Sequence, residues 1–133
     1  MRIQGLALKV LMVEDSSTVR TFVRQQLVSL GINNIVVALN SAEALAQLHR
    51  DQDINFVLCD LYMEGVDGLG FCAEVRRDAN LRKRALPIVI MTGERDKMVL
   101  GVVRDLGVAA VLPKPFNTAQ LKAVLAQGLG MSF

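Results

Sequence analysis

Five short apolar runs alternate with five longer amphipathic segments along this sequence, and few folds tolerate that order. The runs are Leu8–Val13, Ile35–Leu39, Phe56–Cys59, Ile88–Met91 and Ala109–Leu112. Each is rich in Val, Ile or Leu and lacks strict polar alternation, as strands covered on both faces must be. Between them the apolar residues recur at helical spacing. Val19, Phe22, Val23, Leu27 and Leu30 share one face of the first such segment, and Gly31 follows as a left-handed cap. The second starts at Ser41 and turns Ala42, Leu45 and Leu48 inward. The third starts after the N-cap Asp67, with Phe71, Cys72 and Val75 inward. The fourth spans about 96–106 and meets Gly107. The fifth starts at Asn117, with Gln120 three later as a capping box, then Leu121, Val124 and Leu125. Strict alternation of five strands and five helices predicts a doubly wound α/β fold with right-handed crossovers.

The chain has 133 residues, room for one core and little more. Residues 8–129 form the expected domain, with flexible termini at 1–7 and 130–133 and no attached output domain. A net charge of +2 is too mild to argue for nucleic acid or an anionic membrane as partner. No run is long enough to span a bilayer, and no signal peptide precedes the first strand, so a cytoplasmic location is expected. Cys59 and Cys72 form no CxxC pair and read as buried thiols of a reducing compartment. His49, the only histidine, reads as an exposed residue of the second helix.

In an open parallel sheet the functional crevice lies at the carboxyl ends of the strands. Glu14 and Asp15 end the first strand, Asp60 the third, and Thr92-Gly93 the fourth. Lys114-Pro115-Phe116 follows the fifth. Three carboxylates brought together repel one another, and a hard divalent cation such as Mg²⁺ or Mn²⁺ relieves the conflict. Lys114 supplies a mobile ammonium and Thr92 a hydroxyl, which suits the equatorial oxygens of a transferring phosphoryl group. Asp60 is the natural nucleophile, since carboxylates form acyl phosphates. Gly93 leaves room beside Thr92. Taken singly, each residue has a plain alternative: Asp15 as a helix cap, Lys-Pro as an ordinary turn. The combination, in order at four strand ends, favours chemistry.

These residues resemble the receiver domain of two-component response regulators, of the stand-alone chemotaxis-regulator type. The resemblance runs from about Lys9 to Leu129 and is strongest in LMVEDSSTVRTFVRQQL, FVLCDLYMEGVDG, PIVIMTGE and AVLPKPF. It implies a flavodoxin-like sheet of order 2-1-3-4-5. It implies Asp60 as phosphoacceptor and Glu14, Asp15, Asp60 and the Tyr62 backbone carbonyl as Mg²⁺ ligands. Thr92, Gly93 and Lys114 become the phosphoryl-binding and switch residues, with a cis Lys114–Pro115 bond. Tyr62 and Glu94, two after Asp60 and Thr92, border the path of the hydrolytic water and are expected to tune phosphoryl lifetime. Glu64 replaces a common proline and should alter loop stiffness. At Val111 the family usually carries Tyr or Phe as a rotating switch, and valine cannot swing a ring.

The implied partners are a histidine kinase or histidine phosphotransfer protein, docking near Arg20 and Arg24, and a downstream protein target. The target would read the face of the fourth helix, fifth strand and fifth helix. Leu100 is expected to stand exposed there, opposite Val99, Val103 and Leu106, and the Ala/Leu/Gln-rich fifth helix would suit a partner or a homodimer. The domain would not be an enzyme beyond self-phosphotransfer and auto-dephosphorylation. Three other readings compete. A haloacid-dehalogenase-type phosphatase needs Asp-x-Asp, where this chain has Tyr62. A flavin carrier would have its phosphate meet the carboxylates of EDSST. A pseudo-receiver would only mediate contacts, an option that Val111 keeps open.

Overall fold

The computed structural model describes residues 7–63 and 65–130. The expected loose leader at 1–6, the tail from 131 onward and the effect of Glu64 lie outside the described residues. Five strands form one parallel sheet: β1 (Val10–Val13), β2 (Ile35–Ala38), β3 (Phe56–Asp60), β4 (Ile88–Thr92) and β5 (Ala110–Pro113). Their order is β2-β1-β3-β4-β5, as the resemblance implied. Val10 pairs with both Ile35 and Phe56, Val57 with Ile88, and Ile90 with Val111.

The strands obey a period of two. Val10, Met12, Phe56, Leu58, Val89, Met91, Ala110 and Leu112 face one side of the sheet. There they meet α1 (Ser17–Ser29) through Val23 and Leu27, and α6 (Thr118–Leu129) through Leu121, Val124 and Leu125. Leu11, Val13, Val57, Cys59, Ile88 and Ile90 face the other. That side is covered by α2 (Ser41–Arg50), α3 (Gly68–Arg77), α4 (Ala79–Arg82) and α5 (Lys97–Asp105). Each large apolar side chain fully buried this way contributes about 1.5–3 kcal/mol, so two such layers outweigh a few crowded charges at the sheet edge. The predicted caps form. Asp67 accepts from Gly70 N–H, Asn117 and Gln120 close a capping box, and Gly31 and Gly107 take positive φ after α1 and α5.

The structure departs from the sequence reading in several places. Among the described residues it has six helices, not five. Asp78 ends α3 and at once caps α4, accepting from Asn80 and Leu81 N–H, and Leu81 anchors the short turn in the core. Phe22 is 42% exposed, because it lies at the margin of the α1 stripe and tilts against Phe116 at 5.6 Å. Ala42 is exposed, and Ser41 and Ala44 take the inward positions of α2. Leu100 is half-buried, and the bare apolar residues of α5 are Met98 and Val102. Cys59 and Cys72 are free and buried, and His49 is exposed, as read.

The end of the sheet away from the carboxyl termini is closed by Arg84. Its guanidinium donates to the carbonyls of Leu48 and Ile54, both at 2.6 Å, and to those of Asp51 and Gln52. One planar fork thus caps the end of α2 and the approach to β3.

Candidate functional site

β3 and β4 each run one residue further than their apolar runs, so Asp60 and Thr92 are the last residues of their strands. Glu14 N–H donates to Ala38 and Lys114 N–H to Thr92, which carries the sheet pairing just past β1 and β5. All four strand ends named in the sequence therefore meet at one edge. Glu14, Asp15 and Asp60 can each offer a carboxylate oxygen within 4.8 Å of the others. Glu14 is buried, Asp60 largely so, and Asp15 is exposed.

Lys114 reaches across this group. Its Nζ donates to Asp60 Oδ1 at 3.0 Å and to Glu14 Oε1 at 3.2 Å. Burial alone would lower the Lys114 pKa, but the bond to Asp60 and the charges of Asp60 and Glu14 prevail and raise it. Glu14 is raised as well, chiefly by burial and secondarily by the Asp60 charge, against the lowering effect of Ser16 N–H and Lys114. One ammonium against three carboxylates leaves negative charge uncompensated. That donor set is all oxygen and all hard, so the residues present fit a Mg²⁺- or Mn²⁺-type cation.

Local structure fixes each group. Ser16 caps α1 by accepting from Val19 N–H, while its own N–H donates to Glu14 Oε2. Gly68 lets α3 start directly on the phosphoacceptor candidate: a Cβ there would stand 2.6 Å from the Asp60 carbonyl oxygen. Thr92 Oγ1 accepts from Glu94 N–H at 2.9 Å, and Gly93 beside it is exposed with open space around its Cα. The Lys114–Pro115 bond is cis.

Several contacts were not legible beforehand. The Tyr62 hydroxyl donates to Glu94 Oε1, so the β3–α3 and β4–α5 loops are tied together beside the crevice. The bond raises the Tyr62 pKa and lowers that of Glu94. Arg20 is not a free surface cation: it is half-buried and donates to the Glu14 carbonyl, whereas Arg24 is exposed. Arg95 donates to the Lys114 carbonyl at 3.1 Å. Spacing alone gives no signal for these pairs, because each depends on how two loops meet.

A family profile described as the response regulator receiver domain matches residues 10–126. The chain belongs to that family. It is 34% identical over 118 residues to chemotaxis protein CheY-3 of Vibrio cholerae, covering 89% of this chain and 88% of that one. A response regulator structure from Chloroflexus aurantiacus superposes with a TM-score of 0.84 at 26% identity, covering 92% of this chain and 98% of that one. The receiver domain of a Pseudomonas aeruginosa sensor histidine kinase superposes with a TM-score of 0.81 at 25% identity, covering 94% and 99%. That domain was solved with a magnesium ion coordinated in its active site cleft. Receiver domains of this chemotaxis type belong to two-component signalling and are signalling domains rather than classical enzymes. Among the described residues no helix is long and apolar enough to cross a membrane.

Proposed function

We propose that this receiver domain accepts a phosphoryl group on Asp60 from a histidine kinase or histidine phosphotransfer protein. The observation that carries the reading is the Lys114 ammonium bridging Asp60 and Glu14 inside a cluster of three carboxylates. Glu14, Asp15, Asp60 and the Tyr62 carbonyl would hold a Mg²⁺ or Mn²⁺ ion. The bound cation supplies positive charge against the equatorial phosphoryl oxygens and the crowded acids.

The chain's own residues do the rest. A carboxylate oxygen of Asp60 attacks phosphorus in line while the bond from phosphorus to the donor imidazole nitrogen breaks. The imidazole leaves with that electron pair and is protonated from solvent. Lys114 shifts from its Asp60 bond to a phosphoryl oxygen. Thr92 turns its hydroxyl toward another, giving up the Glu94 amide. Gly93 keeps that side open. Tyr62 and Glu94, tied across the crevice mouth, set how readily water reaches the acyl phosphate and so tune its lifetime. The signal then passes to a cytoplasmic protein target through the α5–β5–α6 face.

The test is amide NMR with beryllofluoride and Mg²⁺ on wild type and Asp60→Ala. Mg²⁺-dependent shifts around Asp60, Thr92 and Lys114, absent in the variant, are expected. Their absence in wild type would leave the pseudo-receiver reading, which Val111 favours because it offers no ring to turn. If the analogue binds but α5 and β5 give equal spectra with and without it, the crevice works and the switch is decoupled. Large shifts there would show that backbone movement carries the signal past valine.

A further inference from the structure

The sheet has two edges, β2 and β5. The β5 edge is blunted: its last residue, Pro113, has no N–H to offer, and Lys114 follows. The β2 edge carries no such device. No charged residue and no proline occurs between Arg24 and Glu43, the longest charge-free stretch of the chain. Val10 N–H donates to the Asn34 carbonyl and Glu14 N–H to the Ala38 carbonyl, both at 3.0 Å. Residues 34, 36 and 38 therefore turn their backbone groups toward β1, and Ile35 and Val37 turn theirs outward. Among the described residues nothing pairs with the N–H and C=O groups of Ile35 and Val37. The next outward donor, Leu39 N–H, is closed by Glu43 Oε2 at 2.7 Å. The side chains are equally unfinished. Ile35, Val36 and Val37 are only half-buried, whereas β1, β3 and β4 are buried throughout.

We propose that β2 pairs with β2 of a second copy of this chain, antiparallel about a two-fold axis beside Val36. An open strand edge is recognised by another strand, which presents donors and acceptors at the same spacing. In one register this edge is its own complement. With Ile35 of each copy opposite Val37 of the other, the two residues exchange both hydrogen bonds. Every open group of both strands is then used, and the bond from Leu39 to Glu43 stays intact. Val36 meets Val36 of the other copy in the close, non-hydrogen-bonded position. These central pairs are all β-branched, the kind that packs best across strands. The two-fold brings no like charges together, because the stretch holds none. A nucleic acid would need positive charge here, which is also lacking. The contact is small and belongs at the weak end of protein interfaces. It joins two sheets into one with both β5 strands outermost, so the dimer displays two α5–β5–α6 faces. The pairing does not depend on phosphoryl transfer at Asp60.

The test is sedimentation velocity of the full chain at stepped concentrations, with single cysteines as rulers. The average mass should rise toward that of a dimer between about 10 µM and about 1 mM. Val36→Cys should form a covalent dimer under diamide, since a non-hydrogen-bonded pair sets its Cα atoms about 4.5 Å apart, within disulfide reach. Ile35→Cys should cross-link about tenfold more slowly, because its own counterpart sits diagonally across the pair. Val102→Cys, on the exposed side of α5, should be as slow. Cys59 and Cys72 are buried and should stay silent, which wild type under the same oxidant checks. Val37→Pro removes only an outward N–H, so it should abolish self-association and still melt cooperatively. Amide exchange at Ile35 and Val37 of wild type should slow as concentration rises. A chain still monomeric at about 1 mM, equal cross-linking of Val36→Cys and Val102→Cys, or exchange indifferent to concentration would overturn the proposal. So would a dimer that survives Val37→Pro. If that variant fails to melt cooperatively, cross-linking and exchange decide.

Discussion

Lys114 and Arg84 sit at opposite ends of the same sheet, and each gathers oxygens from separate elements. Lys114 meets two carboxylates in a cluster that still carries excess negative charge. Arg84 meets four neutral carbonyls of one helix end and the turn after it. The first arrangement leaves uncompensated negative charge, which suits an incoming cation. The second leaves nothing to bind and only closes orphan acceptors. The contrast separates what the fold needs from what the site needs, and each end can be broken without touching the other.

Asp60→Asn should give the largest effect, complete loss of the Mg²⁺-dependent beryllofluoride response in NMR. Urea unfolding should show the same variant no less stable than wild type, since a crowded charge is removed. A large loss of stability would mean that the Lys114 bridge is structural and would dissolve the contrast. Arg84→Ala should do the reverse. It should lower stability by about 2–3 kcal/mol, because buried carbonyls lose a charged donor. The beryllofluoride shifts at Asp60 should stay as they are.

The core between the two ends gives a pH signature. Burial pushes the Cys72 thiol from 9.0 to about 11, and Cys59 also well upward. Above pH 9 the unfolded chain therefore holds fewer protons than the folded one, and stability falls as pH rises. By pH 11 the loss from Cys72 should reach about 2 kcal/mol. Cys72→Ala should flatten that limb in urea unfolding at stepped pH, whereas an unchanged slope would place the loss elsewhere. The smallest effect belongs to the crevice mouth. Tyr62→Phe removes the hydroxyl that Glu94 accepts from and should change the decay of the acyl phosphate only a few-fold, about 1 kcal/mol or less in barrier. Stability should not change measurably.

The sequence was most informative where one residue obeys one local rule. Strand runs, the Asp67 and Asn117 caps and the strand-end acids all follow from chain-neighbour chemistry. Phe22, Ala42 and Leu100 were misplaced because they sit at the margins of their helical stripes. There, burial depends on which distant element arrives, Phe116 for Phe22 and β5 for Leu100. The short helix α4 was missed because Asp78 serves two helices at once, ending α3 and capping the next turn. The bonds from Tyr62 to Glu94 and from Arg95 to Lys114 join separate loops, and periodicity does not reach between loops.

The two bonds of Lys114 span 100 residues to Glu14 and 54 to Asp60. Such closures come at the end of folding rather than the start. On a ribosome, the acids of β1 and β3 emerge long before their ammonium. A growing chain therefore has the carboxylates without the ammonium that bridges them until β5 has docked. If Asp60 takes a phosphoryl group as proposed, competence to receive it arrives together with completion of the sheet.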